Sequence, residues 1–499
     1  MSYQWQKDGS NLNGQTNASL TLANVQLAHA GAYWVRVTNA AGAVTSDEAL
    51  LTVFPIQVGP GAVDLSFGNI LDWGNANAIV LQPDRRILVG GNFSDSLGRP
   101  RTITRLLESG CEDPSFEQRP MPGDVGEVNA VALQTNGATL LGGQIAANGQ
   151  MLAGLVRITP SGDLDPGFAA PLHAYSHINA VAVQPDGRIV AAGLLSLDSN
   201  HWFNTVVRLQ PSGALDTNFD VGTGVGLLDS SAIIRVEPLV DGRILVAGKF
   251  TEFSGRPCRG LVRLLPNGML DSSFVPASQM PAGVYAVAIQ PDGRILVAGP
   301  SDVLNPSENH SVARLNADGS LDASFEAIPI ANERIHALGV QADGRILLGG
   351  GFTAITGVTR RGVARLQPNG SLDGSFDAGL GPEGDDGVVG AITVQPDGRI
   401  LVGGSFTSFN GIPCQNLVRL NGDPSASSCR LSTVLCPRTG QPQVLLTGPI
   451  GARVVIEATS DLRSWTPLMT VTNTLGSLQV CDPAANGSPQ RFYRGQSVQ

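Results

Sequence analysis

The sequence predicts an all-β chain whose middle is a ring of seven blades, each a small antiparallel sheet. Three observations carry this. A segment of the type PDGRILVGG recurs seven times at intervals of about 50 residues. Each interval holds four short apolar or β-branched pieces, most of them bounded by Gly, Pro, Asp or Asn. Charged residues are only 15% of the 499, while Gly (61) and Pro (32) are abundant, which suits short strands and turns rather than long helices.

The recurring segment reads PDRRILVGG (83–91), TNGATLLGG (135–143), PDGRIVAAG (185–193), VDGRILVAG (240–248), PDGRILVAG (291–299), ADGRILLGG (343–351) and PDGRILVGG (396–404). Measured at Ile87, Thr139, Ile189, Ile244, Ile295, Ile346 and Ile400, the steps are 52, 50, 55, 51, 51 and 54. In the fifth unit the four pieces are YAVAIQ (285–290), RILVAG (294–299), SVARLN (311–316) and SLDASF (320–325). The PDG and ADG joints supply the positive φ of tight hairpin turns.

The closing piece recurs as EDPSF (112–116), LDPGF (164–168), LDTNF (215–219), LDSSF (270–274), LDASF (321–325) and LDGSF (372–376). A further copy, VDLSF (63–67), stands before any unit has opened, and the last unit, ending in LVRLN (417–421), has none. VDLSF is therefore expected to serve as the outer strand of the seventh blade. Such a pairing joins the first blade to the last and removes an exposed sheet edge, as in a closed β-propeller. A solenoid would not need the exchange.

The pattern xQPDGRILVGGxF…VxRLxxDGSLDxSF resembles the delta-60 repeat of secreted bacterial proteins, over about 63–424. The resemblance implies a propeller scaffold and brings no catalytic residue with it. Unit two departs most, because TNGAT (135–139) lacks both the Asp and the Arg of PDGRI.

The expected layout is a truncated Ig-like domain at 1–54, a linker at 55–62, the seven-bladed propeller at 63–424 and a small C-terminal β-sandwich-like module at 430–499. YQWQKDG and the stretch ending AHAGAYWVRV resemble an immunoglobulin-like domain, with Trp5 as the core Trp and Tyr33 as the tyrosine corner. His29 holds the usual Asp position, and Val35 stands where a second Cys would fall. The strands that should precede Trp5 are missing, so this piece is expected to be poorly ordered or to borrow a partner. VVIEATSDLRSWTPLMTV (454–471) and CDPAANGSPQRFYRG (481–495) resemble a β module at the C-termini of modular secreted bacterial proteins. Within it Cys436 and Cys481 either bridge, leaving Cys429 unpaired, or all three are thiols.

Net charge is −10 with no basic runs, which argues against a nucleic-acid partner. No run of 18 apolar residues indicates a membrane span. The N-terminal MSYQWQKDGS shows no signal peptide, and a truncated start makes that uninformative. An extracellular or cell-surface location follows from the modular company.

Residues present in every unit, such as the Arg of VxRL and the Asp of LDxSF, are expected to serve the scaffold. Residues confined to one unit, on variable loops, are the functional candidates. His173, Tyr175 and His177 fall on one loop, and His201 and Trp202 on another of the same blade. Trp73 and Trp202 offer faces on which sugar rings could stack. Asp385 and Asp386 in PEGDDG would be the pair to hold Ca²⁺ with loop carbonyls, but no D-x-D-x-D-G surrounds them, and no cofactor or metal is expected. Asn77, Asn129, Asn179 and His336 are the polar groups expected at the channel entrance. No nucleophile elbow, P-loop or dinucleotide fingerprint occurs.

The expectation is a non-catalytic extracellular binding scaffold for polysaccharide or a surface protein. The rivals are a propeller hydrolase or lyase acting at the channel mouth, which would need more converging acid and base groups, and a structural spacer.

Overall fold

The computed structural model describes residues 1–22, 27–51, 59–68, 71–94, 98–116, 126–147, 150–152, 154–197, 201–225, 233–278, 283–300, 310–326, 328–330, 333–384, 386–423, 430–435, 442–447, 453–459, 466–472, 477–481 and 492–498. The chain is all-β, and the helical content of the described residues is one short 3-10 turn, Leu27–His29. It divides into two compact units, Met1–Val58 and Gly59–Gln499.

The first unit is one antiparallel sheet in which Ser2–Lys7 and Gly31–Asn39 pair centrally, with Trp5 opposite Val35. Tyr33 is buried, and its hydroxyl donates to the His29 carbonyl at 2.7 Å, four residues upstream. Among the described residues no second sheet covers this one.

In the second unit the seven repeats each fold into an antiparallel three-stranded core. The inner strands are Asp72–Leu81, Glu127–Leu133, His177–Val183, Ile233–Pro238, Ala286–Ile289, Ile335–Val340 and Val388–Val394. Each pairs with the following LVGG-type strand, which pairs with the VxRL strand. The QPDGR turn works as the sequence predicts: Asp186 Oδ1 accepts the Arg188 amide at 3.0 Å. In repeat 2 Asn136 does the same for Ala138, so that repeat keeps its turn without the Asp.

The closing piece corrects the expectation of a fourth strand. LDxSF makes a single bridge to its neighbour, such as Leu315 to Leu321, and then turns away. The reason is local. Asp322 Oδ1 accepts both the amide and the hydroxyl of Ser324, and the Phe325 amide donates to the Asp322 carbonyl. This side-chain turn diverts the backbone groups that a ladder would need.

Two features of the inner strands matter for the sites. First, six of the seven pairings of inner with second strand carry a β-bulge near the start, with Asn77, Asn129, Asn179, Ile234, His336 and Gly390 as the extra residues. A bulge bends the strand and re-aims the side chain it carries. Second, the bulge brings a carbonyl close to the second Gly of LVGG. A Cβ at Gly143 would strike the Glu127 carbonyl oxygen, and one at Gly404 the Val388 oxygen.

Seven hydrophobic clusters pack consecutive repeats together. One joins Ala391, Leu401 and Leu417 of repeat 7 to Ala76, Ile79 and Val89 of repeat 1. The Thr393 hydroxyl donates to the Ile79 carbonyl at 2.9 Å, and Val63 bridges Leu420.

The second-to-third strand connections of repeats 2, 4, 6 and 7 are short hairpins. In three of these, Ser254, Thr356 and Asn410 take positive φ before a Gly, as two-residue hairpin turns demand. Repeat 3 instead extends its pairing from Ile189↔Leu209 to Leu195↔Phe203. The C-terminal segment forms two three-stranded sheets, from Arg430–Leu435, Pro442–Thr447 and Ser477–Cys481, and from Arg453–Thr459, Thr466–Thr472 and Phe492–Val498. Cys429 and Cys436 lie outside the described residues.

Candidate functional site

The repeated arginines and aspartates of VxRL and LDxSF are used by the scaffold. In each repeat the VxRL arginine donates through Nε to the closing Asp at 2.7–2.9 Å, as in Arg105–Asp113, Arg208–Asp216 and Arg419–Asp64. The guanidinium lies 4.5–4.8 Å from the centroid of the closing Phe ring. A third contact reaches the next repeat: Arg105 donates to Pro160 O, Arg157 to Pro211 O, Arg208 to Pro266 O and Arg314 to Pro368 O. One side chain thus ties a strand, a turn and a neighbour. The closing Asp carboxyls are all held below the usual range, and for Asp271 burial, which pushes up, is outweighed by Ser273 and Arg263, leaving it at about 2.

Two places hold residues that are not repeated. The first is a central cavity of about 280 Å³, lined by residues from all seven inner strands. At its edge sits a polar cluster. The Asn75 and Asn77 amides donate to the Glu127 carboxylate at 3.2 and 2.8 Å, and Asn129 Nδ2 lies 2.9 Å from His177 Nε2. Burial pushes the His177 pKa down, opposed by the charge of Glu127.

The bulge asparagines also have a mechanical task. Asn77 donates to Val128 O, Asn129 to Ile178 O and Asn179 to Ile233 O, each reaching the next inner strand at 2.9–3.3 Å. His336 lines the cavity, and its carbonyl accepts a hydrogen bond from Arg235.

The expectation that only three Asn and one His bring polar groups near the channel entrance is corrected. Glu127 and His177 join them, and Arg235, Glu237 and Thr393 line the cavity. His177 does not sit on a loop with His173 and Tyr175. It opens an inner strand, because the apolar alternation of INAVAV begins one residue later and pulls it into the ladder opposite Leu194. The signal for Arg235 was present in the sequence: AIIRVE carries charged residues in mid-strand, where the NAVAVQ-like segments of the other repeats are uncharged.

The second place is an aromatic cluster on repeat 3. His173 meets Trp202 edge-on at 5.5 Å and Tyr175 at 5.7 Å, and His201 stacks on Phe203 at 6.4 Å. Tyr175 is 61% exposed, Leu197 55% and Phe203 42%. Phe203 was not among the sequence candidates. Its place at the end of the extended third strand, opposite Leu195, brings it beside His201. Trp73 lies in the inner strand Asp72–Leu81 rather than on a loop. Asp385 lies outside the described residues, and Asp386 accepts from the Ser405 hydroxyl at 3.1 Å. Among the described residues no group of three or more His, Cys, Asp or Glu is arranged to hold a metal.

Seven segments, 82–116, 134–168, 184–219, 241–274, 290–325, 341–376 and 395–423, match the family described as a domain of unknown function (DUF5122) beta-propeller. The middle of the chain is therefore an array of seven β-propeller repeats. No curated protein matches the chain. Among solved structures, a glycoside hydrolase aligns at 10% identity over 85% of this chain and 96% of its own, with a TM-score of 0.28. A periplasmic gluconolactonase of Pseudomonas aeruginosa aligns at 15% identity over 72% and 95%, with a TM-score of 0.22. An endo-arabinase from Bacteroides thetaiotaomicron aligns at 10% identity over 63% and 97%, with a TM-score of 0.24.

Proposed function

From seven propeller repeats as premise, we propose that residues 63–424 form a closed seven-bladed propeller that works as a non-catalytic binding module outside the cell. An Ig-like unit before it and a small β module after it would display it. Support for closure comes from the Val63–Leu420 bridge, the Arg419–Asp64 pair and the cluster shared by repeats 7 and 1. Among the described residues no helix is long and apolar enough to cross a membrane.

The observation that carries the binding reading is the aromatic cluster of repeat 3. It sits where the hairpin of repeats 2, 4, 6 and 7 is replaced by extended strands, and it exposes Tyr175, against the His173 ring that also meets Trp202, and Phe203, which stacks with His201. Flat rings with polar edges suit polysaccharide, whose sugars offer C–H faces for stacking and hydroxyls for the edges. The test is a glycan array with the full chain and with a Tyr175→Ala, Trp202→Ala double variant. Binding by the parent and its loss in a folded variant supports the reading. No binding by the parent removes polysaccharide as the ligand.

A second reading, hydrolysis or lyase chemistry at the cavity mouth, is favoured by one observation: the Glu127 carboxylate stands near enough to His177 for its charge to raise the imidazole pKa against burial. An acid and a base beside an open mouth are the minimum for proton transfer. Activity on a polysaccharide that Glu127→Gln abolishes would replace the non-catalytic reading.

A further inference from the structure

Six inner strands carry Ala at one equivalent position: Ala78, Ala130, Ala180, Ala286, Ala337 and Ala391. Equivalence follows from register, since each faces a Gly or Ala of the second strand, and Arg235 of repeat 4 faces Ala247 in the same way. Two residues on, repeat 4 has Glu237 where repeats 2, 3 and 5 have Ala132, Ala182 and Ala288. A single guanidinium therefore enters the cavity at a position where the other repeats carry only a methyl group.

Arg235 is poorly satisfied by protein. Nη1 donates to Ile234 O at 3.2 Å and Nη2 to His336 O at 3.3 Å, two long bonds to neutral carbonyls. Five N–H donors are available on a guanidinium. Among the described residues no carboxylate lies within 4.0 Å of it; the surface and scaffold arginines, by contrast, mostly have one. Burial lowers its pKa, against the charge of Glu237, yet guanidinium stays protonated at any ordinary pH. A partly buried charge with no carboxylate in direct contact is costly, and a small counter-anion relieves it.

We propose that the central cavity is a binding site for a small monocarboxylate of about acetate size, held by the Arg235 fork. The cavity of about 280 Å³ accommodates such an ion together with a few waters, each needing about 30 Å³. Planar carboxylate matches the guanidinium fork bidentately, whereas a spherical halide does not. Glu237 does not oppose this at mildly acidic pH, because burial pushes its carboxyl up to about 7 and the protonated form carries no charge. The charged or titratable groups facing the cavity are Arg235, Glu237 and His336, with His177 and the Glu127 carboxylate near its edge on the inner strands of repeats 3 and 2.

The test is calorimetric titration of the full chain at about pH 6 with sodium acetate, and separately with sodium chloride. Expected is one acetate per chain, at least tenfold tighter than chloride. Arg235→Ala installs the residue that six repeats already carry, so it leaves the fold intact, and acetate binding falls at least tenfold. Arg235→Lys keeps the charge, loses the fork and weakens acetate while narrowing the preference over chloride. Glu237→Gln keeps binding. Absence of any acetate site, equal affinity for chloride, or acetate binding unchanged in Arg235→Ala would each overturn the proposal.

Discussion

Arg419 donates through Nε to Asp64 at 2.9 Å, joining two residues 355 positions apart. Arg419 also lies over the Phe67 ring at 4.6 Å and donates to Glu108 O in repeat 1. Every other repeat makes this arrangement from its own closing segment. Only the seventh draws it from residues that precede the first repeat, so one buried pair links the two ends of the array.

Asp64→Asn therefore removes a charge partner from an arginine whose side chain is only 2% exposed. Leaving a buried charge unpaired costs about 3 kcal/mol. Urea unfolding should show that loss, and Asp216→Asn in repeat 3 should show a similar one. A cost for Asp64→Asn no larger than that of the exposed Asp84→Asn would mean the two ends are not joined in solution.

Acid should unfold the array in a defined window. The Asp271 and Asp322 carboxyls stand at about 2, Asp322 chiefly through the Ser324 hydroxyl and Asp271 through Ser273 and Arg263 acting against burial. Unfolded aspartate titrates at about 3.9. A depressed folded pKa means that the stabilisation is complete above about 4 and is lost as pH falls through about 2. Urea midpoints across a pH series should drop from about pH 4 downward as these aspartates are protonated, apart from the slope that Glu237, pushed up to about 7, adds nearer neutrality. A collapse finished before pH 5 would contradict this.

Gly143→Ala should destabilise by about 1–3 kcal/mol, because the new methyl meets the Glu127 carbonyl across the bulge. Gly339→Ala is the contrasting case. Ala132, Ala182 and Ala288 occupy the same position in other repeats, and the nearest atom to a new Cβ is the Ile392 Cγ2 at 3.3 Å. Its thermal midpoint should move little.

Asn179→Ala should cost about 1 kcal/mol, the net value of one side-chain hydrogen bond, since the Ile233 carbonyl loses its donor. Ile234→Asn, which places Asn at the bulge of the next repeat, is the informative complement. A gain in stability there would show that the asparagine acts as a tie between neighbouring inner strands.

Much of the architecture was legible in the residues. The period, the turn chemistry of PDG and DG, and the unmatched VDLSF segment all depend on local pattern, and local pattern survives in one dimension. The site was legible only in part. Tyr175 and Trp202 each meet the His173 ring, while His201 stacks on Phe203, which the extended pairing places at the end of the third strand. His177 belongs to the inner strand, beside Asn129. The closing segments read as strands by composition yet turn after a single bridge, because Asp side chains capture the amides that a ladder would use.

The sequence by itself determined the number of repeats, the position of their turns and the residues that recur as scaffold, since each depends on neighbours within about 50 positions. Only the tertiary structure decided that Arg235 stands in a cavity lined by all seven inner strands, and that Asn77, Asn129 and Asn179 reach the next strand. The physical reason is that these roles depend on a bulge that re-aims one side chain and on strands from different repeats meeting at one centre. Repetition tells which residues are alike. What the unlike ones face is set by packing between repeats, and no single repeat contains that information.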